Sequence, residues 1–373
     1  MNFTHKNASG EGTVSRQAAG NPSAEFVPRS PPKSAAVRSA GSKVVNLALQ
    51  GGGTHGAFGW GVIDRLLEDE RIDFEGITAS SAGAVNAIFL ADGLARGGRA
   101  KAREALSTFW KTLSEETSRG VFKTSGIDKV NPTRGLEHSP GYVLMEALTY
   151  FASPYQLNPL NINPLRILLE RLVDFERVRR QDAVKLFLSA TNVRTAKVKV
   201  FRGEELTVDH VLASTCLPLM MHAVEVDGEH YWDGGYAGNP AIFPLVYDCV
   251  TPDILLIHTT PAERQDLPRT SPAIMNRMQE ISFNTALIRE MRTVAFLNRR
   301  IEQGKAEGRV MLVHVIEAED LTRNFTASSR LNGDWDFLTF LFNNGRERAD
   351  KWLTAHFDNI GIETTVDLEE KYF

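Results

Sequence analysis

One serine in this chain stands where a nucleophile can be built. Ser81 lies in Ala79-Ser80-Ser81-Ala82-Gly83, after the short β-rich run "GITAS" and before the helical pattern "AGAVNAIFLADGLARGG". A serine carried on a sharp strand-to-helix turn needs small residues two places before and after it, because larger side chains would collide there. Its hydroxyl would also sit at a helix N-terminus, where the dipole favours developing negative charge. The competing reading is a plain helix N-cap, since serine is a favoured capping residue.

A nucleophile needs a hole for an oxyanion and a base for its proton. Upstream, "QGGGTHGAFG" follows the β-rich run Val44–Gln50 and opens another helical pattern. The backbone N–H groups of Gly51, Gly52, Gly53 and Thr54 could hold an oxyanion, since glycines put no side chain in the way. Gly51, Gly53 and Gly56 also fit the dinucleotide fingerprint. Against that, the acidic residue twenty places on, Asp73, precedes the second strand, where a ribose-binding acid should end it.

Two kinds of base are available. A Ser–Asp–His triad would draw on His258, just past "DILLI"; His314, inside "VMLVHVIE", reads as a satisfied core histidine. The other candidate is an aspartate. Asp227-Gly228 lies between the alternating runs "AVEV" and "EHYW" and reads as a hairpin turn. Asp233-Gly234-Gly235 follows the second arm, and its glycines let another segment approach the carboxylate. A carboxylate can take a serine proton if it is held in hydrogen-bond reach in a site rich in donors.

These pieces in this order, "GGGTHG", "ASSAG" and "DGG", with "ASTCLPLMMHAVEV" leading into the last, resemble the patatin-like phospholipases, bacterial members in particular. The resemblance covers about residues 44–315. It implies a Ser81–Asp233 dyad without a catalytic histidine, hydrolysis of lipid acyl esters at a membrane or micelle surface, and no metal or other cofactor. Leu217, Leu219, Met220 and Met221 become candidates for the acyl-binding wall, with core packing as the other account of them. Two positions depart from the family pattern. His55 stands where a Lys or Arg is usual, which would make a fixed charge pH-dependent. Ala79 replaces the first glycine of the elbow, where a methyl could strain the turn. Either could lower activity, though neither removes a reacting group; a catalytically silent, lipid-binding member is the alternative for which these departures are the only sequence hint.

The elements that must position these residues follow from the pattern. Buried strands at "VKLFLSATNV", "DILLIHTT" and "RVMLVHVIE" alternate with helical stretches near 99–115, 164–182, 273–304 and 335–357. That alternation predicts a three-layer α/β/α sandwich with a mostly parallel sheet. One domain is expected over 44–316, with 317–373 as a helical extension packed on it. Residues 117–165 fit the pattern worst and read as an insertion, either a lid or ordinary packing.

Composition narrows the classes. The 373 residues carry a formal charge of −4, which argues against nucleic acid as a partner. Residues 1–43 hold six Lys/Arg against two Glu, net +4, so the rest carries −8. That segment is rich in Ser, Ala, Gly and Pro and reads as a disordered tail, able at most to touch an anionic membrane. No secretory h-region and no apolar run of about 20 residues is present, so a cytoplasmic protein is the default. Cys216 and Cys249 sit in apolar contexts and read as buried free thiols.

Overall fold

The computed structural model describes residues 41–373. The expected basic tail lies, up to residue 40, outside the described residues. Its last charge is not a tail charge: Lys43 opens the first strand, and its ammonium donates to the carbonyls of Phe357, Asp358 and Ile360 at 2.8–3.0 Å.

Eight strands form one sheet: β1 (Lys43–Leu49), β2 (Ile72–Ala79), β3 (Lys185–Asn192), β4 (Val198–Arg202), β5 (Val224–Val226), β6 (Glu229–Asp233), β7 (Asp253–His258) and β8 (Leu312–Glu317). They pair in the order β5-β6-β3-β2-β1-β7-β8, with β4 also on β3. The pairs β1–β2, β1–β7, β2–β3 and β7–β8 are parallel; β3–β4, β3–β6 and β5–β6 are antiparallel. The sequence reading missed β4, whose Val198, Val200 and Arg202 alternate with Lys199 and Phe201.

Helix α1 (Gly56–Glu68) follows β1 and α2 (Ala82–Arg119) follows β2. A break at Gly97 and Gly98 divides α2 where the glycines suggested one helix ends and another starts. The insertion carries α3 (Gly126–Val130), α4 (Pro140–Thr149) and α5 (Pro154–Leu157), before α6 (Pro164–Leu172) and α7 (Phe175–Arg180). Then come α8 (Val208–Ser214), α9 (Phe243–Asp248), α10 (Ser271–Glu302), α11 (Glu319–Thr322), α12 (Trp335–His356) and α13 (Leu368–Tyr372).

The two-residue period of a strand sends successive side chains to opposite faces. In β7, Leu255 and Ile257 join a core shared with α1, α2 and α12, whereas Ile254 and Leu256 join one with α9, α10 and α13. Leu47 and Leu49 of β1 split from Ala48 in the same way. The result is the expected α/β/α sandwich.

Helix α12 lies against α1 at glycine contacts. A Cβ at Gly345 would stand 2.2 Å from the Phe58 carbonyl oxygen, and one at Gly61 would stand 2.0 Å from that of Phe342. The two backbones therefore touch, which only glycine permits. Gly345→Ala gains at most about 1 kcal/mol of helix propensity. The collision with backbone outweighs this, and urea unfolding should show a net loss of about 1–3 kcal/mol.

Candidate active site

Ser81 and Asp233 are 152 positions apart in the sequence, and β3 brings them together. Leu188 of β3 pairs with Ala79 of β2 on one edge and Phe201 of β4 on the other. Two residues on, Ala190 pairs with Asp233 of β6 and Lys199 of β4. Since β4 occupies one edge throughout, β2 and β6 must share the other. Running in opposite directions, they end facing each other, which places the elbow after Ala79 beside Asp233.

The elbow has the backbone of a strained turn. Ser81 has φ 53° and ψ −127°, a left-handed conformation that costs a non-glycine residue about 1–3 kcal/mol. Its N–H is taken by the carbonyl and hydroxyl oxygens of Ser214, each at 3.1 Å. Ser81 occupies the N-cap position of α2, yet its side chain makes no capping hydrogen bond. The capping explanation for a serine here therefore fails. Ala79 lies in the regular β1–β2–β3 pairing, fully buried, so its methyl is absorbed by the sheet rather than by the turn.

Asp233 is also fixed on all sides. Its N–H donates to Cys216 O at 2.8 Å, and its carbonyl accepts from Thr191 Oγ1 at 2.8 Å. Carboxylate Oδ1 accepts the Gly235 N–H at 2.8 Å. Oδ2 is buried and has no partner at full hydrogen-bond geometry. Burial pushes this carboxyl up to about 7, against the opposing pull of the Ser81 hydroxyl and the Gly235 N–H. The Ser81 hydroxyl therefore lies near enough to the Asp233 carboxyl to pull on its acidity.

The glycine loop packs directly on the elbow. A Cβ at Gly51 would stand 2.4 Å from Ser81 Cβ, so only glycine fits there. Gly53 has φ +60°, and a Cβ on it would lie 2.2 Å from the Arg330 carbonyl oxygen. The Gly51 N–H is taken by Asn239 Oδ1 at 2.8 Å, so the loop's open donors start one residue later than read from sequence. Among the described residues, the N–H groups of Gly52, Gly53 and Thr54 have no acceptor.

The C-terminal segment, for which sequence offered no chemistry, clamps this loop. Thr54 Oγ1 donates to Ser329 O at 2.8 Å, and His55 Nε2 lies 2.8 Å from Ser329 Oγ. His55 is buried edge-on against Phe325 and Phe337. Burial, with the Arg330 and Arg264 charges adding to it, drives its pKa to about 3. The pH-dependent charge expected at position 55 is therefore absent: His55 is neutral at any ordinary pH. A fixed positive charge reaches the region from Arg330 instead, held by Glu280 and Asn276.

His258 is elsewhere. It ends β7, separated from β2 by β1, and its Nε2 lies 3.2 Å from Asn284 Oδ1. His314 lies between Asp253 and Thr365, each at 3.0 Å, as a satisfied core residue. Asp73 pairs with Arg99 at the start of β2. Asp227 and Gly228 both have positive φ and form the hairpin turn. Leu217, Met220 and Met221 are half-buried, and Leu219 is exposed; none belongs to the core. Cys216 and Cys249 are buried and free.

Residues 47–246, more than half of the chain, match the patatin-like phospholipase family. The chain belongs to that family. As a patatin-like phospholipase it has the family's lipid hydrolase character and fold. A comparison with curated protein sequences finds no match. Among solved structures, the chain is similar to VipD from Legionella pneumophila, at 16% identity and TM-score 0.37, over 88% of this chain and 72% of that one. It is also similar to the type III effector ExoU, at 13% identity and TM-score 0.33, over 84% of this chain and 53% of that one. The ExoU–SpcU complex of the Pseudomonas aeruginosa type III secretion system gives 13%, TM-score 0.32, and 85% against 52%. The chain thus spans about half the length of ExoU.

A carboxyl raised to about 7 destabilises the fold once the pH passes the unfolded value near 4, and the cost grows until the folded value is passed. Wild type should therefore lose stability relative to Asp233→Asn between pH 5 and 8.5, by on the order of 2 kcal/mol. Urea unfolding at the two pH values reads this directly, and equal slopes for both proteins would contradict a raised Asp233.

Proposed function

We propose that this patatin-like phospholipase is a serine acyl hydrolase working through a Ser81–Asp233 dyad. The observation that carries the reading is a serine at positive φ whose hydroxyl caps nothing and lies beside a buried aspartate. Asp233 takes the Ser81 proton as Oγ attacks the acyl carbonyl, and the N–H groups of Gly52, Gly53 and Thr54 hold the oxyanion. The proton passes from Asp233 to the leaving alcohol, leaving an acyl-enzyme. Water then gives Asp233 a proton, attacks the ester and releases the fatty acid, and Ser81 recovers its hydrogen. A base near 7 suits this exchange, since about half of it is ionised at neutral pH and it is still basic enough to draw on the hydroxyl.

The insertion supports a lipid surface as the place of action. No residue of α4 is buried, and Leu144, Phe151 and Leu160 are 60%, 88% and 80% exposed. Such a concentration of exposed apolar groups marks an interaction face. It is tied to the site. Tyr155 stacks on His222 at 4.2 Å and accepts the Ala223 N–H at 3.1 Å, just before the hairpin that carries Asp233. Among the described residues no helix is long and apolar enough to cross a membrane, so contact would be made from one side.

Fluorophosphonate labelling and p-nitrophenyl ester hydrolysis test the dyad. Both should vanish in Ser81→Ala. Hydrolysis should fall at least about 100-fold in Asp233→Asn, and wild-type kcat/KM should rise with pH through an apparent pKa near 7. Full activity in Asp233→Asn with loss in His258→Ala would move the enzyme to the triad class, and a folded wild type inert to the probe would leave the silent, lipid-binding reading. The paired change Phe151→Ser, Leu160→Ser should lower sedimentation with anionic vesicles and leave turnover of a short soluble ester unchanged. Equal loss on both substrates would remove the surface role.

A further inference from the structure

Three acceptor groups meet at the C-terminal ends of β7 and β8, away from the dyad. The β7–β8 register sets His258 directly beside Glu317, so both side chains leave the same face of the sheet. That is the α10 face, since Val313 and Val315, at the same parity as Glu317, pack there. Glu319 follows at the start of α11. One ligand atom from each of His258, Glu317 and Glu319 lies within 4.8 Å of the others.

The tautomer of His258 is fixed by its neighbour. Asn284 Nδ2 donates to the carbonyls of Pro261 and Glu280, each at 3.0 Å, so Oδ1 must be the atom that faces His258. Gln50 Nε2 also donates to that oxygen, at 3.2 Å. An oxygen can only accept, so His258 Nε2 carries the proton and Nδ1 keeps a bare lone pair. His258 is 1% exposed, and Nδ1 has no hydrogen-bond partner. The ring that carries this unpartnered, buried lone pair thus also belongs to a cluster with two carboxylates, and the lone pair lacks an electrophile.

The surrounding cations leave room for one. Lys371 of α13 pairs with Glu317 through Oε2 only. Glu319 Oε1 accepts the Glu263 N–H at 2.8 Å, with Arg323 at 3.8 Å. One oxygen of each carboxylate is left. A metal-binding histidine typically donates its other N–H to a fixed acceptor, which is the arrangement Asn284 provides.

We infer that His258, Glu317 and Glu319 form a binding site for one divalent transition-metal ion of the zinc or manganese type. One imidazole with two carboxylates suits these ions, and bonds of about 2.0–2.2 Å need only small rotations from the present spacing. The site is not the catalytic centre, and the dyad mechanism routes nothing through it. Its outer partners lead to the glycine loop, however: Gln50 Oε1 accepts the N–H groups of Thr259 and Thr260 at 2.8 Å, and Thr259 Oγ1 donates to Gly51 O at 3.0 Å. A bound ion would tie the ends of β7 and β8 to the root of that loop.

The test uses the full chain stripped with EDTA, then titrated with zinc chloride or manganese chloride alone. Bound metal is counted by elemental analysis after desalting, and Tm is followed in parallel. About one equivalent per chain and a raised Tm are expected. Binding should be lost in His258→Ala and in Glu319→Gln, whose side chain is 13% exposed, and weakened about 10–100-fold in Asn284→Ala, which frees the ring. Ser81→Ala should keep wild-type metal content, so the result stands whatever the hydrolase assay gives. Cobalt(II) should give visible bands that disappear in His258→Ala. No retained metal in wild type, or unchanged binding in a folded Glu319→Gln, overturns the site.

Discussion

The edge of β3 that β2 leaves at Leu188 is taken up again by β6 at Ala190, and the candidate chemistry depends on that handover. Had β4 and β6 exchanged edges, Asp233 would lie across β3 from the elbow. The handover also explains the crowding. Two strands running towards each other need the chain to leave the sheet at once, and both do so with small residues. After β2 comes Ser80-Ser81-Ala82, and after β6 Gly234-Gly235. Ser80 Oγ then donates to Gly238 O at 2.5 Å, tying the two exits together. A Cβ on Gly234 would stand 2.1 Å from the Ser189 carbonyl, on the residue of β3 between the two pairings.

Such close packing sets the electrostatics. Asp233 is buried with few donors, so its charged form is disfavoured and its basicity rises. His55 responds to the same dryness in the opposite direction, because for imidazole the charged form is the protonated one. The outcome is a loop root without charge of its own. Positive charge comes instead from Arg264, Arg277 and Arg330, which share the buried Glu280 of α10.

Much of this was legible from local pattern. The glycine loop, the elbow, the hairpin at Asp227 and the alternation of buried strands with helices all rest on short-range rules, and each has a fixed spacing. Position 55 was not legible in the same way. A histidine reads as titratable until burial is known, and here Phe325 and Phe337, about 270–280 places further along the sequence, decide it. Ser214, Asn239 and Ser329 hold the elbow and the loop through one or two hydrogen bonds each across the fold. A lone Ser or Asn in a loop carries no signal of such a role. Strand β4 was missed because its exposed residues, Lys199 among them, dilute a short alternating run. The pairing of His258 with Glu317 is a matter of register between strands more than fifty residues apart, which neither segment encodes alone.

The clamp on the glycine loop has a consequence in time as well as in space. Ser329 comes 248 positions after Ser81, so a chain being made from its N-terminus holds Ser81, Asp233 and the glycine loop well before the residue that fastens the loop. The N–H groups proposed to hold the oxyanion are fastened only once the chain has been made as far as Ser329, so until then it would carry the serine and the aspartate beside an unfastened loop.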